Sequence, residues 1–271
     1  MKRSPEEAKA RYKEKFRKDP ELALKRFFKG RSIPILSADA LMEESDDYSS
    51  GPNGRRSYGA ALYEIAAHQT DLAYAKLLNR PVEDGRDTVV FTAGGSASGK
   101  SSVLAVGALP KSAELVFDTT FSTPARAMGQ VKRALQNSRK VHICYVYREF
   151  GVCVRAMLGR ALNPKNGRVV NVGTMAKTHS GARDSVNQAL VAYAENPDVT
   201  FAFFRLRSTG LIVLTPREYA TLPIQNIDTL RARGDSLIDE IHRNQDERWH
   251  GGKVPRPVID AARSDQSKNS E

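Results

Sequence analysis

Residues 87–102, DTVVFTAGGSASGKSS, constrain the fold of this chain more than any other stretch. A short run of β-branched and aromatic residues leads straight into a glycine-rich turn, and GKSSVLAVGAL then continues as a helix. A strand, a tight turn and a helix in that order form the opening unit of a parallel sheet. Within the turn, Gly94, four intervening residues, Gly99, Lys100 and Ser101 satisfy G-x-x-x-x-G-K-[ST]. At that spacing the backbone N–H groups of Gly94, Gly95, Ser96, Ala97, Ser98 and Gly99 curl around a β-phosphate. Lys100 reaches the β- and γ-phosphates, the Ser101 hydroxyl takes Mg²⁺, and Ser102 is expected among the nucleotide-binding residues. The competing reading is a Ser/Gly-rich connector, which would not need to fall between a strand and a helix.

The rest of the chain repeats the alternation. ELVFD, VHICYVY, VTFAFFRLR and GLIVLT read as strands, and TPARAMGQVKRALQNSRK, EFGVCVRAMLGRAL, SGARDSVNQALVAYAE and IDTLRARGDSLIDEIHRNQDERW as helices. The expected fold is α/β, a P-loop NTPase or kinase-like parallel sheet covered by helices. Residues 1–84 read as a helical N-terminal extension, residues 85–250 as the nucleotide-binding domain, and residues 251–271 as a disordered tail. In the extension, SPEEAKARYKEKFRK and DPELALKRFFKG each open on a capping residue followed by Pro. EESDDYSSGPNG reads as a loop. The long helix RRSYGAALYEIAAHQTDLAYAKLLNR offers Leu62, Ile65, Ala66, Leu72, Ala73 and Leu77 as one apolar face for docking on the sheet.

Charge adds a second partner class. The formal net charge is +11, and residues 1–31 carry twelve Lys and Arg against five Asp and Glu. Such an arm can bind nucleic acid by counterion release, but no zinc-finger spacing or aromatic RNA-binding motif accompanies it, so a solvated helix is the preferred reading. No run of about 18 apolar residues is present for a membrane span, and the first residues lack the apolar stretch of a secretory signal. Cys144 and Cys153 lie in apolar segments without metal or redox spacing. The expectation is a cytoplasmic protein with reduced thiols.

Two further groups of residues point to chemistry. Asp118 ends ELVFD, and carboxyl ends of neighbouring parallel strands line one crevice. A carboxylate there serves as base toward an acceptor hydroxyl or as a Mg²⁺ partner, or it caps the turn TTFSTP. Thr119 and Thr120 are candidate substrate contacts. Residues 163–183 form a polar stretch with Lys165, Arg168, Lys177, His179 and Arg183, expected to be a mobile lid. Arg168 and Arg183 there supply charge to a migrating phosphoryl group, while Lys165 reads as a solvated cation.

The succession GGSASGKSS, LVFDTTFST, VHICYVYRE and GRVVNVGTMAKTHSGARDSV resembles the zeta toxin family of P-loop kinases in a shortened form, over about residues 85–210. The resemblance implies a phosphotransferase that uses ATP or GTP with Mg²⁺ and phosphorylates a nucleotide sugar such as UDP-N-acetylglucosamine. It also implies a toxin opposed by a small helical antitoxin. Lys100, Ser101 and Arg168 match the family's phosphate-loop lysine, metal-binding hydroxyl and first lid arginine, and Arg183 its second. Asp118 sits where the family carries an acidic sugar contact. Only fourteen residues separate Lys100 from Leu115, so the extra strand bearing the family's catalytic-base Asp has no counterpart. Either Asp118 fills both roles or phosphate transfer departs from the family's. The N-terminal helices, outside the resemblance, read as packing for the sheet, as a built-in inhibitor or as a docking segment. The alternative function is a regulatory or nucleic-acid-associated nucleotide-binding module with little or no phosphotransfer.

Overall fold

The structure, a computed structural model, describes residues 3–82, 85–105, 109–224, 226–244 and 254–263. The chain opens with α1 (Pro5–Lys18), α2 (Leu22–Phe28), the two-residue strand β1 (Ile35–Leu36), α3 (Ala38–Met42), α4 (Asp46–Ser49) and the long α5 (Pro52–Leu78). There follow β2 (Thr88–Ala93), α6 (Lys100–Ala105), β3 (Ala113–Phe117), α7 (Pro124–Gln136), β4 (Lys140–Tyr147), α8 (Phe150–Leu162) and α9 (Val172–Ala192). The last elements are β5 (Val199–Arg207), β6 (Gly210–Leu214), α10 (Pro216–Ala220), α11 (Ile227–Asn244) and α12 (Arg256–Ala262).

The sheet has six strands in the order β1-β3-β2-β4-β5-β6, parallel throughout except for the β5–β6 hairpin. Its central strand, β2, is buried along its whole length, as a strand covered on both faces must be. From β2 the chain moves to β3 on one side, then crosses back to β4 on the other. The loop after β2 therefore opens at the switch point, where the carboxyl ends of parallel strands leave a crevice.

The N-terminal helices are part of this domain. Tyr12, Phe16, Phe27, Leu62, Tyr74 and Leu78 share one core with Phe91 and Phe117 of the sheet. Tyr74 sets its ring edge-on to Phe117 at 5.0 Å and to Phe91 at 6.1 Å, and its hydroxyl donates to the Gln130 carbonyl at 3.0 Å. That hydrogen bond allows a tyrosine to be fully buried there. Of the apolar face expected on α5, Leu62, Ile65, Ala66, Ala73 and Leu77 are buried, whereas Leu72 is exposed because it falls one position off the i, i+4 row.

Two further parts of the sequence reading change. The span read as a purely helical extension contributes β1, whose Ile35 and Leu36 pair with Val116 and Phe117. The stretch EESDDYSSGPNG contains α4 and the start of α5, and its carboxylates face the basic helix. Arg3 and Arg11 pair with Asp47, Lys15 with Asp46 and Arg26 with Glu44, while Arg17 and Lys18 pair with Glu14 and Lys25 with Asp19. Each such pair is worth little by itself, and the three carboxylates from outside the arm, Glu44, Asp46 and Asp47, offset only part of its charge. Beyond Gly251, where a disordered tail is expected, α12 buries Val258, Ile259 and Ala262 against α8 and α11. Residues 251–253 and 264–271, with the end of the long helix read to Trp249, lie outside the described residues. Among the described residues no helix is long and apolar enough to cross a membrane.

A chain beginning at Gly85 loses β1 and the whole aromatic lid over Phe91 and Phe117, so it is expected not to fold. Its thermal transition by near-ultraviolet circular dichroism should be lost, and a cooperative melt would show that the sheet folds without the helices. In the full chain, Tyr74→Ala should cost about 3–5 kcal/mol in urea unfolding.

Candidate functional site at the carboxyl edge of the sheet

The turn after β2 is built by left-handed backbone at Gly94 (φ 141°), Ala97 (φ 64°) and Gly99 (φ 96°). For Ala97 this region is sterically costly, a strain of the kind that collects at functional loops. Close approach fixes two of the glycines. A Cβ on Gly94 would press on the Val146 carbonyl of β4, and one on Gly95 would overlap the His179 ring. The Gly94 amide donates to the Thr120 carbonyl at 3.1 Å, which ties the turn to the end of β3.

The helix α9 grips the turn from above. Thr178 Oγ1 accepts the Ser96 amide at 3.1 Å, and His179 Nε2 lies 2.9 Å from the Ser96 carbonyl. A carbonyl only accepts, so Nε2 carries the proton. His179 is buried with its ring edge-on to Phe150 at 5.1 Å, and burial pulls its pKa down to about 4, so the imidazole is neutral. The amides of Gly95, Ala97, Gly99, Lys100 and Ser101 make no hydrogen bond among the described residues, and the buried Ser98 hydroxyl has no partner. A buried donor left unpaired costs free energy unless a ligand or water satisfies it.

Lys100 opens α6 and turns back into the turn, its ammonium donating to the carbonyls of Gly94 (3.0 Å) and Gly95 (3.2 Å). Burial lowers its pKa, against the pull of the Asp118 and Asp39 carboxylates, while the nearby Arg160 and Arg168 charges lower it further. Asp118 follows β3. Its amide donates to the Leu36 carbonyl at 2.8 Å, and its Oδ1 accepts from Thr92 Oγ1 at 2.9 Å. Burial raises the Asp118 carboxyl above its ordinary range, with Lys100 and hydrogen bonds from Thr92 and Ser37 opposing the rise. The charges of Lys100 and Asp118 act on each other, though no ion pair joins them among the described residues. Ser101 is exposed on the first turn of α6. Thr119 and Thr120 are engaged locally: Thr119 Oγ1 accepts the Phe121 amide at 3.2 Å, and the Thr120 and Ser122 hydroxyls lie 2.8 Å apart.

The expected lid divides in two. Residues 163–167 form a tight turn, with the Gly167 amide donating to the Asn163 carbonyl at 2.9 Å. Gly167, in the left-handed region, packs on Pro52 at the start of α5, so this turn is seated on the N-terminal helices. From Val172 onward the stretch is helix, N-capped by Asn171, whose Oδ1 accepts the Thr174 amide at 2.7 Å. Lys177 is exposed on that helix. Arg183, one turn beyond His179, is buried with its guanidinium carbon 3.8 Å over the Tyr219 ring and beside Tyr145, its Nε and one terminal nitrogen without a partner. Arg168 behaves differently and forms an ion pair with Asp39 of α3.

Asp39, Ser37, Arg160, Thr178 and His179 complete the site, and the first four drew no attention in the sequence. The Ser-Ala-Asp start of α3 reads only as a helix cap, and nothing local reveals that β1 carries it to the sheet edge. Both cysteines are buried, with their thiols pushed up to about 12, which leaves them inert. Among the described residues no group of three or more His, Cys, Asp or Glu could hold a metal ion.

No protein-family model matches the chain, and no curated protein matches its sequence. Among solved structures, the fold aligns with two crystal structures of the AvrRxo1-ORF1:AvrRxo1-ORF2 complex. With the sulphate-containing structure the identity is 12%, the TM-score 0.42, and the alignment covers 74% of this chain and 86% of that one. With the native structure the identity is 13% and the TM-score 0.43, over 74% and 84%.

His179 makes the grip on the turn sensitive to acid. Its folded pKa lies below its unfolded value of about 6.5, so its contribution is complete above pH 6.5 and is lost as the pH falls toward 4. The loss should reach roughly 3 kcal/mol, at about 1.4 kcal/mol per pH unit. Urea unfolding between pH 7 and 4 should show a slope that flattens in His179→Gln. An equal slope in both proteins would mean that His179 does not carry it.

Proposed function

We propose that the chain is a small-molecule kinase of the zeta toxin type, transferring the γ-phosphate of ATP or GTP to a hydroxyl of a nucleotide sugar resembling UDP-N-acetylglucosamine. The observation that carries this reading is Lys100, half-buried at the switch point between a glycine-rich turn with unpaired amides and the Asp118 carboxylate. An ammonium whose partners are two carbonyls is ready to exchange them for phosphate oxygens.

In this reading the amides of Gly95, Ala97 and Gly99 and the positive end of α6 hold the phosphates, and Lys100 bridges the β- and γ-groups. The Ser101 hydroxyl and the Asp118 carboxylate are hard oxygen donors of the kind Mg²⁺ takes, and the ion, when bound, would offset charge on the phosphates. A carboxyl held above its ordinary pKa is also suited to receive the proton of an attacking hydroxyl. The charge of Arg168 acts on Lys100, which supports a role for it toward the transferring group. Arg183 serves the fold in this arrangement, stacked on Tyr219. The basic arm keeps part of its charge after pairing with Glu44, Asp46 and Asp47, and no base-reading motif accompanies it, so a nucleic-acid partner is the second reading. A small helical antitoxin fits the toxin reading. The N-terminal helices, continuous with the core, do not act as a detachable inhibitor.

Lys100→Ala should fold normally and lose tight binding of Mg·ATP in calorimetry. Wild-type affinity in the folded variant would refute a phosphate role for the turn. Asp118→Asn should lower UDP-sugar-stimulated ADP release by a factor on the order of 10² to 10⁴ with little change in nucleotide affinity. An Asn variant with normal turnover and normal Mg²⁺ dependence would leave Asp118 a cap only.

A further inference from the structure

β6 closes one end of the sheet, and among the described residues no strand pairs with its outer side. An edge strand presents alternate N–H and C=O groups to whatever lies beside it, and proteins commonly blunt such an edge with a charge or a proline. The strand GLIVL carries neither. Ile212 is 38% and Val213 71% exposed, so two β-branched side chains stand on an open edge.

The register of the β5–β6 hairpin sets what surrounds that edge. Arg205 pairs with Ile212 and Arg207 with Gly210 on one face of the sheet, while Phe204 pairs with Val213 and Leu206 with Leu211 on the other. Arg205 lies over the Tyr147 ring at 5.5 Å, Arg207 is exposed, and Arg217 is exposed on α10 just after β6. None of the three arginines makes an ion pair among the described residues. The neighbouring Glu218 is turned back onto Thr215, accepting its amide at 2.7 Å and its hydroxyl at 2.8 Å. Gly210 has no side chain, so nothing on its row stands between Arg207 and a strand added outside β6. Two strand spacings, about 9–10 Å, would separate that strand from β5, a gap that an arginine and a glutamate span together.

We propose that β6 is the docking edge for an extended segment of a partner protein in which carboxylates alternate with β-branched apolar residues. Backbone hydrogen bonds to β6 supply affinity, and the two faces of the added strand supply selection. On the arginine face its carboxylates meet Arg207 across Gly210, with Arg205 one row away. On the opposite face its apolar side chains cover Val213 and lie beside Leu211. A second copy of this chain is the poorer occupant, because two β6 edges brought together set the arginines of one against those of the other. The same charges select against a basic strand. The edge also adjoins the turn after β2. Leu206, which pairs with Leu211, packs so closely on Gly99 that a Cβ there would overlap it. An added strand therefore buttresses a wall of the candidate site, and its docking does not depend on the reaction proposed there.

The test is fluorescence anisotropy on the full chain with labelled peptides. One alternates valine and glutamate, one alternates valine and lysine, and the third is the valine–glutamate peptide with a central proline, which interrupts a strand. The first should bind and the other two should not, and the amides of β6 should exchange more slowly in the complex. Arg207→Glu, a change at an exposed position whose fold is checked by circular dichroism, should weaken that binding roughly tenfold or more and bring on binding of the valine–lysine peptide. Absence of binding by the valine–glutamate peptide, equal binding of its proline form, or unchanged affinity in Arg207→Glu overturns the proposal. So does a concentration-dependent dimer in analytical ultracentrifugation that Val213→Lys abolishes, since β6 is then taken by a second copy.

Discussion

The pairing of β1 with β3 is the constraint on which the rest of this molecule depends. It spans only Ile35 and Leu36, yet it seats the N-terminal region in the sheet and delivers Ser37 and Asp39 to the carboxyl edge beside Asp118. Two residues of strand pairing cannot hold a segment by hydrogen bonds alone. The hold comes from burial, above all from Tyr74, which anchors α5 on Phe91 and Phe117, and from Tyr12, whose hydroxyl donates to the Leu41 carbonyl at 2.7 Å and fixes α3 against α1. Backbone pairing sets the register there, and aromatic packing makes it persist.

At the edge so assembled, electrostatics and burial are opposed. Lys100 and Asp118 each lose stability as ions on leaving water, and each regains part of it from the other. The arrangement is poor as a device for folding, because both charges lose hydration without closing an ion pair among the described residues. It is better explained by what the crevice does. Arg160, Arg168 and Lys100 bring like charges close together, and that crowding is relieved when an anion binds.

The sequence made the centre of the sheet legible and its flank illegible. β2 and the turn after it could be read because strand, glycine spacing, lysine and helix all agree within twenty residues. Asp118 followed from the rule that parallel strands end together. β1 was invisible because IPIL is too short for alternation to show. The start of α9 was misread for a different reason. Lys177, Thr178 and His179 made NVGTMAKTHS look polar, although Val172, Met175, Ala176, His179, Ala182, Arg183 and Val186 fall at helical spacing, and all of them are buried. Asn171, a good N-cap, was the available signal.

That misreading bears on how the site works. A lid of twenty residues could open and close over a nucleotide by itself, whereas the observed halves are bound to different things. The turn at 163–167 rests on Pro52, and α9 holds the phosphate turn through Thr178 and His179 while its far half packs in the core. Movement of α9 would take Ser96 with it, so the turn after β2 is coupled to a core helix and resists loosening. On the α3 side stands the Arg168–Asp39 pair, an ion pair partly open to solvent and therefore cheap to exchange. Rigidity on one side and an exchangeable contact on the other place the adjustable part of the crevice at Asp39, on the segment that β1 carries in.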